Sequence, residues 1–338
     1  QLKTLSLKLL ADGKVTSAGL ESLAHGLPVA LSELRLDLTY VYIFDDKVMQ
    51  SLREELQRLR NLKSLSLHVN TNGNLTHVGL ESLAHCLPDA LSELRLDLSH
   101  VANVGDKAWQ SLSKGLGRLR QLQTLSLKLF ADAKVTSAGH ESLAHGLPEA
   151  LSELRLDLTS VYSVDDKFVQ SLSKELQRLR QLKTLSLTLT NKGKLTRVGL
   201  ESLAHGLPDA LSELRLDLSH VANVDDKFVQ SLSKGLAGLR LTHVGLESLA
   251  NGLPGALSEL ELDLNDVPNV GDKAMQSLSK GLRRLRQLQT LSLKLKWTHV
   301  GLESLAHGLP EALSELELGL DNVLNVDDND MQSLSKGL

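Results

Sequence analysis

The sequence predicts an α/β solenoid, a stack of strand-and-helix coils with a parallel sheet on the concave face and helices on the convex face. It repeats every 60 residues, with copies that begin at Leu2, Leu62, Leu122 and Leu182 and shortened copies after them. Each copy has two related halves of about 30 residues, and each half places a leucine-rich strand pattern before a helical pattern. One such coil cannot bury its apolar side alone, so stacked coils must share one core.

The strands are indicated by leucines with a spacing of two. The segments 2–9 (LKTLSLKL) and 31–38 (LSELRLDL) both contain Leu-x-x-Leu-x-Leu, which puts the leucines on one face of a strand. The pattern occurs eleven times. The step from Leu216 to Leu262 is 46 residues, where other steps are mostly 29 or 31. We therefore expect an irregular coil at about residues 236–246, in which the segment near Leu239 to Leu241 either forms a compressed twelfth strand or loses its place in the sheet; we favour the strand.

The helices are indicated by apolar residues with a helical spacing and by their end signals. In first halves, Thr16 is a candidate N-cap, and Gly26 followed by Pro28 favours a stop. In second halves, Asp45 or Asp46 is the candidate cap. The buried stripe predicted for that helix consists of Met49, Leu52, Leu56 and Leu59.

These coils resemble the leucine-rich repeat family, and their length with a full helix is similar to its ribonuclease-inhibitor-like class. The resemblance covers the whole chain and implies one horseshoe-shaped domain, 1–338, of about 12 coils. That family places Asn or Cys three residues after the last leucine of the strand motif. Thr39 and Asn70 keep a hydrogen-bonding group at this slot, whereas Leu10, Phe130 and Lys296 do not. Looser or differently bonded turns are expected there.

Composition argues against several functions. The formal charge of -4 is too balanced for a nucleic-acid or anionic-membrane surface, and we expect neither partner. No apolar run is long enough to span a membrane, and the first residues lack a basic-then-apolar leader. The single cysteine, Cys86, excludes an intrachain disulfide framework. A cytoplasmic location is therefore favoured over secretion.

The polar residues do not form a catalytic pattern. His25, His85, His145 and His205 recur 60 residues apart, or about 10 Å in the stack, which is too far apart to share one zinc ion. No nucleophile and base recur at a plausible spacing, and there is no phosphate-binding glycine loop. Cys86 stands where other copies carry glycine, which favours a chance substitution over a reactive thiol. We expect no enzyme activity, metal or cofactor.

The candidate partner-binding residues lie on the predicted concave face and on the loops that follow the strands. The tryptophans Trp109 and Trp297 and the phenylalanine Phe44 align with apolar columns and are predicted to be core. The tyrosines instead occupy columns that accept very different side chains, which is typical of exposed positions. The candidates are Tyr40, Tyr42, Tyr162, His100, Arg35, Arg95, Arg155, Arg215, Lys8 and Lys128.

The leading hypothesis is a non-catalytic protein-interaction module, a ligand-recognition or scaffold element that binds through the concave face and the adjacent loop rim. A second hypothesis is a structural element that self-assembles, since the sequence begins inside a coil and ends inside a helix pattern, and neither end has a polar capping segment. A fragment of a longer protein would explain the same ends. A third hypothesis, an extracellular adhesin or receptor ectodomain, is favoured only by the glycosylation pattern Asn74-Leu-Thr76.

Overall fold

A computed structural model describes most of the chain. The described residues are 2–9, 16–39, 41, 44–70, 75–101, 104–131, 135–161, 164–189, 195–217, 253–264, 272–295 and 297–319. The chain forms two compact units, residues 1–163 and 164–338. The organisation as one domain, 1–338, remains a prediction.

The first unit is a parallel sheet whose neighbouring strands follow each other along the chain. Its strands pair in the order β1 to β6, and a helix follows each of β1 to β5. The strands are β1 Thr4–Lys8, β2 Glu33–Leu38, β3 Ser64–Asn70, β4 Glu93–His100, β5 Thr124–Ala131 and β6 Glu153–Val161. The helices are α1 Ser17–His25, α2 Asp46–Arg58, α3 His77–Cys86, α4 Asp106–Gly117 and α5 Ser137–His145.

The second unit repeats this arrangement. Its strands also pair in parallel and in chain order, from β7 to β11. The strands are β7 Thr184–Leu189, β8 Glu213–Asp217, β9 Glu259–Asp263, β10 Thr290–Lys294 and β11 Glu315–Gly319. The helices are α6 Asp166–Arg178, α7 Arg197–Gly206, α8 Asp272–Leu282 and α9 His299–Ala306.

The strand motif aligns in register from coil to coil, so leucine lies beside leucine. Leu34 pairs with Leu65 and Leu36 with Leu67, and all four side chains are at most 5% exposed. The helix stripes cover the other side of these leucines. Trp297, Trp109 and Phe44 are buried in this core, as the sequence predicts. The predicted strand-and-helix coil is confirmed in both units.

The two aspartates at the start of α2 have different roles. The Asp45 carboxylate caps its own helix and accepts hydrogen bonds from the backbone N–H groups of Lys47 (3.1 Å) and Val48 (3.0 Å). The Asp46 carboxylate instead reaches the next coil. It accepts from the Thr76 backbone N–H (2.9 Å), the Thr76 hydroxyl (2.6 Å) and the Gly79 N–H (3.0 Å) at the start of α3. We call this contact the aspartate clamp.

The aspartate clamp recurs along the chain. Asp106 binds Thr136, Asp166 binds Thr196, and Asp272 binds the hydroxyl of Thr298. Thr76, the last residue of the glycosylation pattern, is thus a helix cap bonded to the preceding coil; Asn74 lies outside the described residues.

The repeated glycines allow neighbouring coils to approach closely. A Cβ atom on Gly79 would lie 2.5 Å from the Asp46 carboxylate oxygen, and one on Gly146 would lie 2.5 Å from the Ser113 carbonyl oxygen. Both distances are far below a van der Waals contact, so alanine at either position would push the coils apart.

The described strands on either side of the expected irregular coil are direct neighbours in the sheet. Strand β8 pairs directly with β9, with Leu214 beside Leu260 and Leu216 beside Leu262. The Ser258 N–H also donates to the Ser212 carbonyl (2.9 Å). Residues 236–246, and with them the expected strand near Leu239 to Leu241, lie outside the described residues.

We call the position three residues after the last leucine of a strand motif the strand-end slot. At Phe130, which fills one such slot, the loss of asparagine does not explain the local irregularity of the sheet. The register between β5 and β6 shifts between Lys128 and Phe130, but the same shift occurs between β3 and β4 at Asn70, which does carry the family's side chain. The shift therefore does not follow from the loss of asparagine. Leu10 and Lys296 lie outside the described residues.

We expect Asp46→Ala to destabilise the first unit by about 2 kcal/mol, since it removes three hydrogen bonds to a carboxylate that join α2 to α3. Urea unfolding followed by circular dichroism measures the change. The matched control is Lys47→Ala, one residue further along the same helix and exposed. Equal stability of the two variants would show that the clamp contributes nothing.

Candidate functional site

The candidate site is the face of each sheet that the helices do not cover. We call it the open sheet face, and it consists of the polar residues that alternate with the buried leucines. In the first unit they form three columns across the register of β1 to β6. The columns are Thr4, Glu33, Ser64, Glu93, Thr124 and Glu153; Ser6, Arg35, Ser66, Arg95, Ser126 and Arg155; and Lys8, Asp37, His68, Asp97, Lys128 and Asp157.

The arginines of this face are held by acids on their own strands. The Arg95 Nε lies 2.6 Å from a Glu93 carboxylate oxygen, and the Arg155 Nε lies 2.6 Å from that of Glu153. Both arginine side chains remain about half exposed. Arg35 is different, since no described residue forms an ion pair or a hydrogen bond with its guanidinium. An ion pair of this kind contributes little stabilising free energy at an exposed surface. The arginines therefore remain available to a partner.

The third column is bonded within the strand ends and across neighbouring strands. The Thr39 hydroxyl donates to the Asp37 carboxylate (2.6 Å), and the Thr39 N–H donates to the same oxygen (3.1 Å). Ser99 with Asp97 and Thr159 with Asp157 repeat this turn. The strand-end slot therefore binds the aspartate two residues before it.

Two lysines complete the third column. The Lys8 ammonium lies 3.4 Å from the Asp37 carboxylate on the neighbouring strand. Lys128 lies 3.7 Å from Asp157 in the same way. The hydrogen bond from Thr39 is the largest influence that lowers the pKa of Asp37, and Lys8 lowers it further, while partial burial opposes both.

The open sheet face of the second unit is more acidic. Arg215 is the only base on the described strands β8 and β9, and its Nη2 lies 2.7 Å from the Glu259 carboxylate across the strand pair. Its Nε lies 3.7 Å from Glu261. The hydrogen bond to Glu259 raises the pKa of Arg215. Five carboxylates surround this single base, namely Glu213, Asp217, Glu259, Glu261 and Asp263.

Two pairs of these acids lie directly opposite each other. Glu213 pairs in register with Glu259, and Asp217 with Asp263, because β8 and β9 both carry the second-half motif. Like charges directly opposite each other destabilise a sheet. The sequence analysis did not predict this juxtaposition, since it favoured a twelfth strand near Leu239 to Leu241. The 46-residue step between the leucines was the signal that could have found it.

The sequence-predicted candidates fall into three groups. Arg35, Arg95, Arg155, Lys8 and Lys128 share the open sheet face of the first unit, and Arg215 lies on that of the second. His100 is the last residue of β4, but the structure does not describe its side chain. Tyr40, Tyr42 and Tyr162 lie outside the described residues.

The histidine column lies at helix ends, on the helical side of the coils. The His25 Nδ1 is 3.0 Å from the Glu55 carboxylate on the next helix, and Glu55 also binds Arg58. His85 and His205 bond to carbonyls one turn earlier in their own helices. The described part of the chain contains no group of three or more possible metal ligands.

One histidine has a different environment that the sequence analysis did not single out. His140 stands in the column of Leu20, Leu80 and Leu200, and it is 1% exposed. Its ring packs edge-to-face against Trp109, with 5.8 Å between the ring centroids.

Cys86 is buried within the helical side of the coils. Its thiol donates to the Leu83 carbonyl (3.1 Å). Burial raises its pKa to about 12. Because the thiolate is the reactive form, this cysteine is inert at neutral pH.

The described cavities differ in position and size. Two apolar cavities lie inside the core, one of about 10 Å³ beside Trp109 and one of about 20 Å³ beside Phe44, and each holds about one water molecule at most. A larger groove of about 390 Å³ lies between Arg60, Arg118 and the turn at Pro88. In this groove the Arg118 guanidinium donates hydrogen bonds to the carbonyls of Ala84 and His85. Its positive charge therefore already interacts with the C-terminal end of α3.

We expect Thr39→Ala to raise the pKa of Asp37 and to lower stability at pH 7 by about 1 kcal/mol. A carboxyl with a lowered folded pKa stabilises the fold above the ordinary value of 3.8, and this contribution is lost as the pH falls through the folded pKa. The difference in unfolding free energy between Thr39→Ala and the original chain should therefore become smaller below that pH. Carbon-13 NMR titration of the carboxyl and urea unfolding at several pH values measure both effects. Thr39→Ser, which keeps the hydroxyl, is the control; an unchanged Asp37 pKa in Thr39→Ala would contradict the assignment.

Comparisons with known proteins identify the fold. No protein-family profile matches the sequence, and no curated protein sequence matches it. A chain in the crystal structure of the Rad7 and Elc1 complex in yeast superposes with a TM-score of 0.56 at 20% identity, covering 99% of this chain and 73% of that one.

Two further solved structures resemble the chain more distantly. The leucine-rich repeat-containing protein LegL7 from Legionella pneumophila gives a TM-score of 0.49 at 16% identity, covering 98% of this chain and 97% of that one. A chain of the TLR13-ssRNA13 complex gives 0.43 at 18% identity, covering 99% of this chain and 38% of that one. With its strand motif in register and a helix between consecutive described strands of each regular coil, this chain has the fold of an α/β leucine-rich repeat solenoid.

Proposed function

We propose that this chain is a non-catalytic recognition module that binds a protein partner through the open sheet face and the loop rim beside it. The observation that carries the proposal is the contrast between the two faces of the sheets. Helices cover the leucine face, whereas no described element covers the polar face. A regular, rigid and uncovered surface of polar side chains is a typical recognition scaffold.

The side chains of this face vary between coils, whereas the buried leucines do not. Leucine recurs on the buried side of every described strand, while the third column of the first unit varies between Lys8, Asp37, His68, Asp97 and Lys128. Arg95 and Arg155 are anchored by neighbouring glutamates yet about half exposed. Arginines held in one orientation lose little conformational entropy when a partner binds, which supports their use as contact residues.

The loop rim is the second part of the proposed surface. It comprises the segments after the strands, which include Tyr40, Tyr42 and Tyr162. Tyrosine combines a large apolar ring with a hydroxyl and is enriched where protein interfaces gain most of their binding free energy. These three are also the only tyrosines of the chain.

Several features favour binding over catalysis. The two core cavities in the described part of the chain, of about 10 and 20 Å³, are too small for a substrate, and Cys86 is buried with a raised pKa. The chain of the Rad7 and Elc1 complex belongs to an assembly of two proteins, and it superposes over nearly the whole of this chain. That likeness supports a protein partner by analogy of fold.

The proposal is tested with a partner captured by photo-crosslinking. A photoreactive phenylalanine replaces Ser126 on the open sheet face or Lys114 on the exposed side of α4, and captured proteins are identified by mass spectrometry. We expect a protein that is captured from position 126 and not from position 114. Capture from position 114 alone would refute binding through the sheet.

The affinity of that partner is then measured for two triple variants of equal charge change. Arg35→Gln, Arg95→Gln and Arg155→Gln together should weaken binding about tenfold or more, whereas Lys47→Gln, Lys107→Gln and Lys167→Gln, all on exposed helix positions, should change it less than about twofold. Equal losses of affinity in the two triple variants would show that only the net charge of the chain matters for binding.

The rim is tested separately with Tyr40→Ala and Tyr42→Ala combined. This variant should weaken the same partner while leaving the melting temperature nearly unchanged. Unaltered affinity would remove the rim from the proposed surface.

A further inference from the structure

The groove between Arg60, Arg118 and the turn at Pro88 has room for a small molecule. Its volume of about 390 Å³ is in the range of small-molecule sites, whereas the two core cavities hold about one water molecule at most. Cys86 and Leu87 form its inner wall and are at most 3% exposed, and Pro88 is half-buried. None of its described lining residues belongs to the strands of the open sheet face.

The groove carries more positive than negative charge. Arg60 and Arg118 line it, and Asp89 is the only carboxylate among its described lining residues. No described residue forms an ion pair or a hydrogen bond with the Arg60 guanidinium. Burial raises the pKa of Cys86 at the inner wall, while the charges of Arg53 and Arg118 act in the opposite direction and lower it. The positive potential therefore reaches the base of the groove.

Other coils show how the chain neutralises an arginine at this position. Arg58 stands one copy before Arg118, and its Nη1 pairs with the Glu55 carboxylate. The same carboxylate lies 3.0 Å from the His25 Nδ1 and is almost fully buried. Arg178, one copy later, also pairs with the glutamate three residues before it. A carboxylate beside this arginine is thus a regular feature of these coils.

The coil that contains Arg118 has no glutamate to supply. Gly115 stands where Glu55 does, and a Cβ atom on it would lie 2.5 Å from the Ala84 carbonyl oxygen. No side chain can enter there without moving the helices apart. The Arg118 Nη2 instead donates to the carbonyls of Ala84 (3.1 Å) and His85 (3.3 Å). Carbonyl dipoles do not cancel a full charge, so the place of the missing carboxylate is open to one from outside the chain.

We propose that this groove binds a small organic acid. The ligand carboxylate would bind the Arg118 guanidinium, whose Nε and Nη1 bond to no described residue. Arg60 would bind a second acidic group of the same ligand, and the ligand's apolar part would lie against Leu87 and Pro88. Hydrogen bonds between a guanidinium and a carboxylate are charge-assisted, and they are stronger in a partly enclosed groove than in open water.

This site is separate from the open sheet face. The inference therefore goes beyond the proposed partner binding, and either can fail alone. The glutamates that pair with Arg58 and Arg178 already fill the corresponding place in those coils. We therefore expect one binding site among the three described copies of this helix end.

The test titrates the full chain with glutarate, a small acid with one carboxylate for each of the two arginines. We expect saturable binding, with the largest amide shifts in nitrogen-15 NMR at Leu87, Asp89 and Ala90. Inorganic phosphate is titrated in parallel and should bind more weakly than glutarate. The proposal is overturned if glutarate does not saturate, if the largest shifts lie elsewhere, or if phosphate binds more tightly.

Two pairs of variants test the charges of the groove. Arg60→Gln should lower the affinity for glutarate about tenfold, whereas Arg120→Gln, at the same position one copy later, should change it less than about twofold. Because Arg60 bonds to no described residue through its side chain, its replacement should leave the circular dichroism spectrum unchanged. Equal losses in the two variants would show attraction by the overall charge and overturn the site.

Asp89→Asn removes the negative charge of the groove and should raise the affinity about twofold or more. The matched control is Asp209→Asn, which stands at the same position two copies later and should have no effect. An affinity that is unchanged or lower in Asp89→Asn contradicts an anionic ligand at this place.

Discussion

Coil-to-coil burial of leucine is the interaction on which the rest of the structure depends. A leucine of β2 or β3 contributes about 1.5 to 3 kcal/mol when it is removed from water, which is comparable to the conformational entropy lost by ordering one or two backbone residues. This burial is complete only when a neighbouring coil lies on both sides. Leu36 and Leu67 are at most 5% exposed between their neighbours, whereas Leu7 on the outer strand is half-buried. Stability is therefore a property of adjacent coils and not of any single coil.

The aspartate clamp is the polar counterpart of this stacking. A helix start leaves backbone N–H groups without partners inside its own helix. Most short helices satisfy them with their own cap residue, as α2 does with Asp45. Helix α3 is capped by its own Thr76 and also uses a carboxylate from the preceding coil, and the glycine at position 79 leaves room for it. One residue thus caps a helix and fixes the distance between two coils.

Periodic features could be predicted from the sequence, and features that depend on which coils are neighbours could not. The strands, the caps Thr16 and Asp45, and the buried Trp297 follow from patterns local to one coil, since each copy supplies a comparison for the others. The role of Asp46 depends on a residue 30 positions further along. The sequence analysis did not predict the Asp37 turn, in which Thr39 bonds the aspartate two positions before it. For the candidate site, the six basic residues could be placed on the sheet from the sequence. The position of the three tyrosines on the loop rim remains a prediction.

The order of the coils also determines the charge of the open sheet face. In the middle column, first-half strands carry Ser where second-half strands carry Arg or Glu. In the third column, first-half strands often carry Lys where second-half strands carry Asp. When the two kinds of strand alternate, a base or a neutral side chain therefore lies beside each acid, as at Lys8 and Asp37. At β8 and β9 two second-half strands are neighbours, and Glu213 lies opposite Glu259. The leucines of these strands remain fully or almost fully buried, because both halves share the same buried positions. A change in coil order can therefore make the surface more acidic while the leucines stay buried. In a repeat fold of this kind, the order of the coils can therefore change the charge of the exposed sheet without any substitution on the strands themselves.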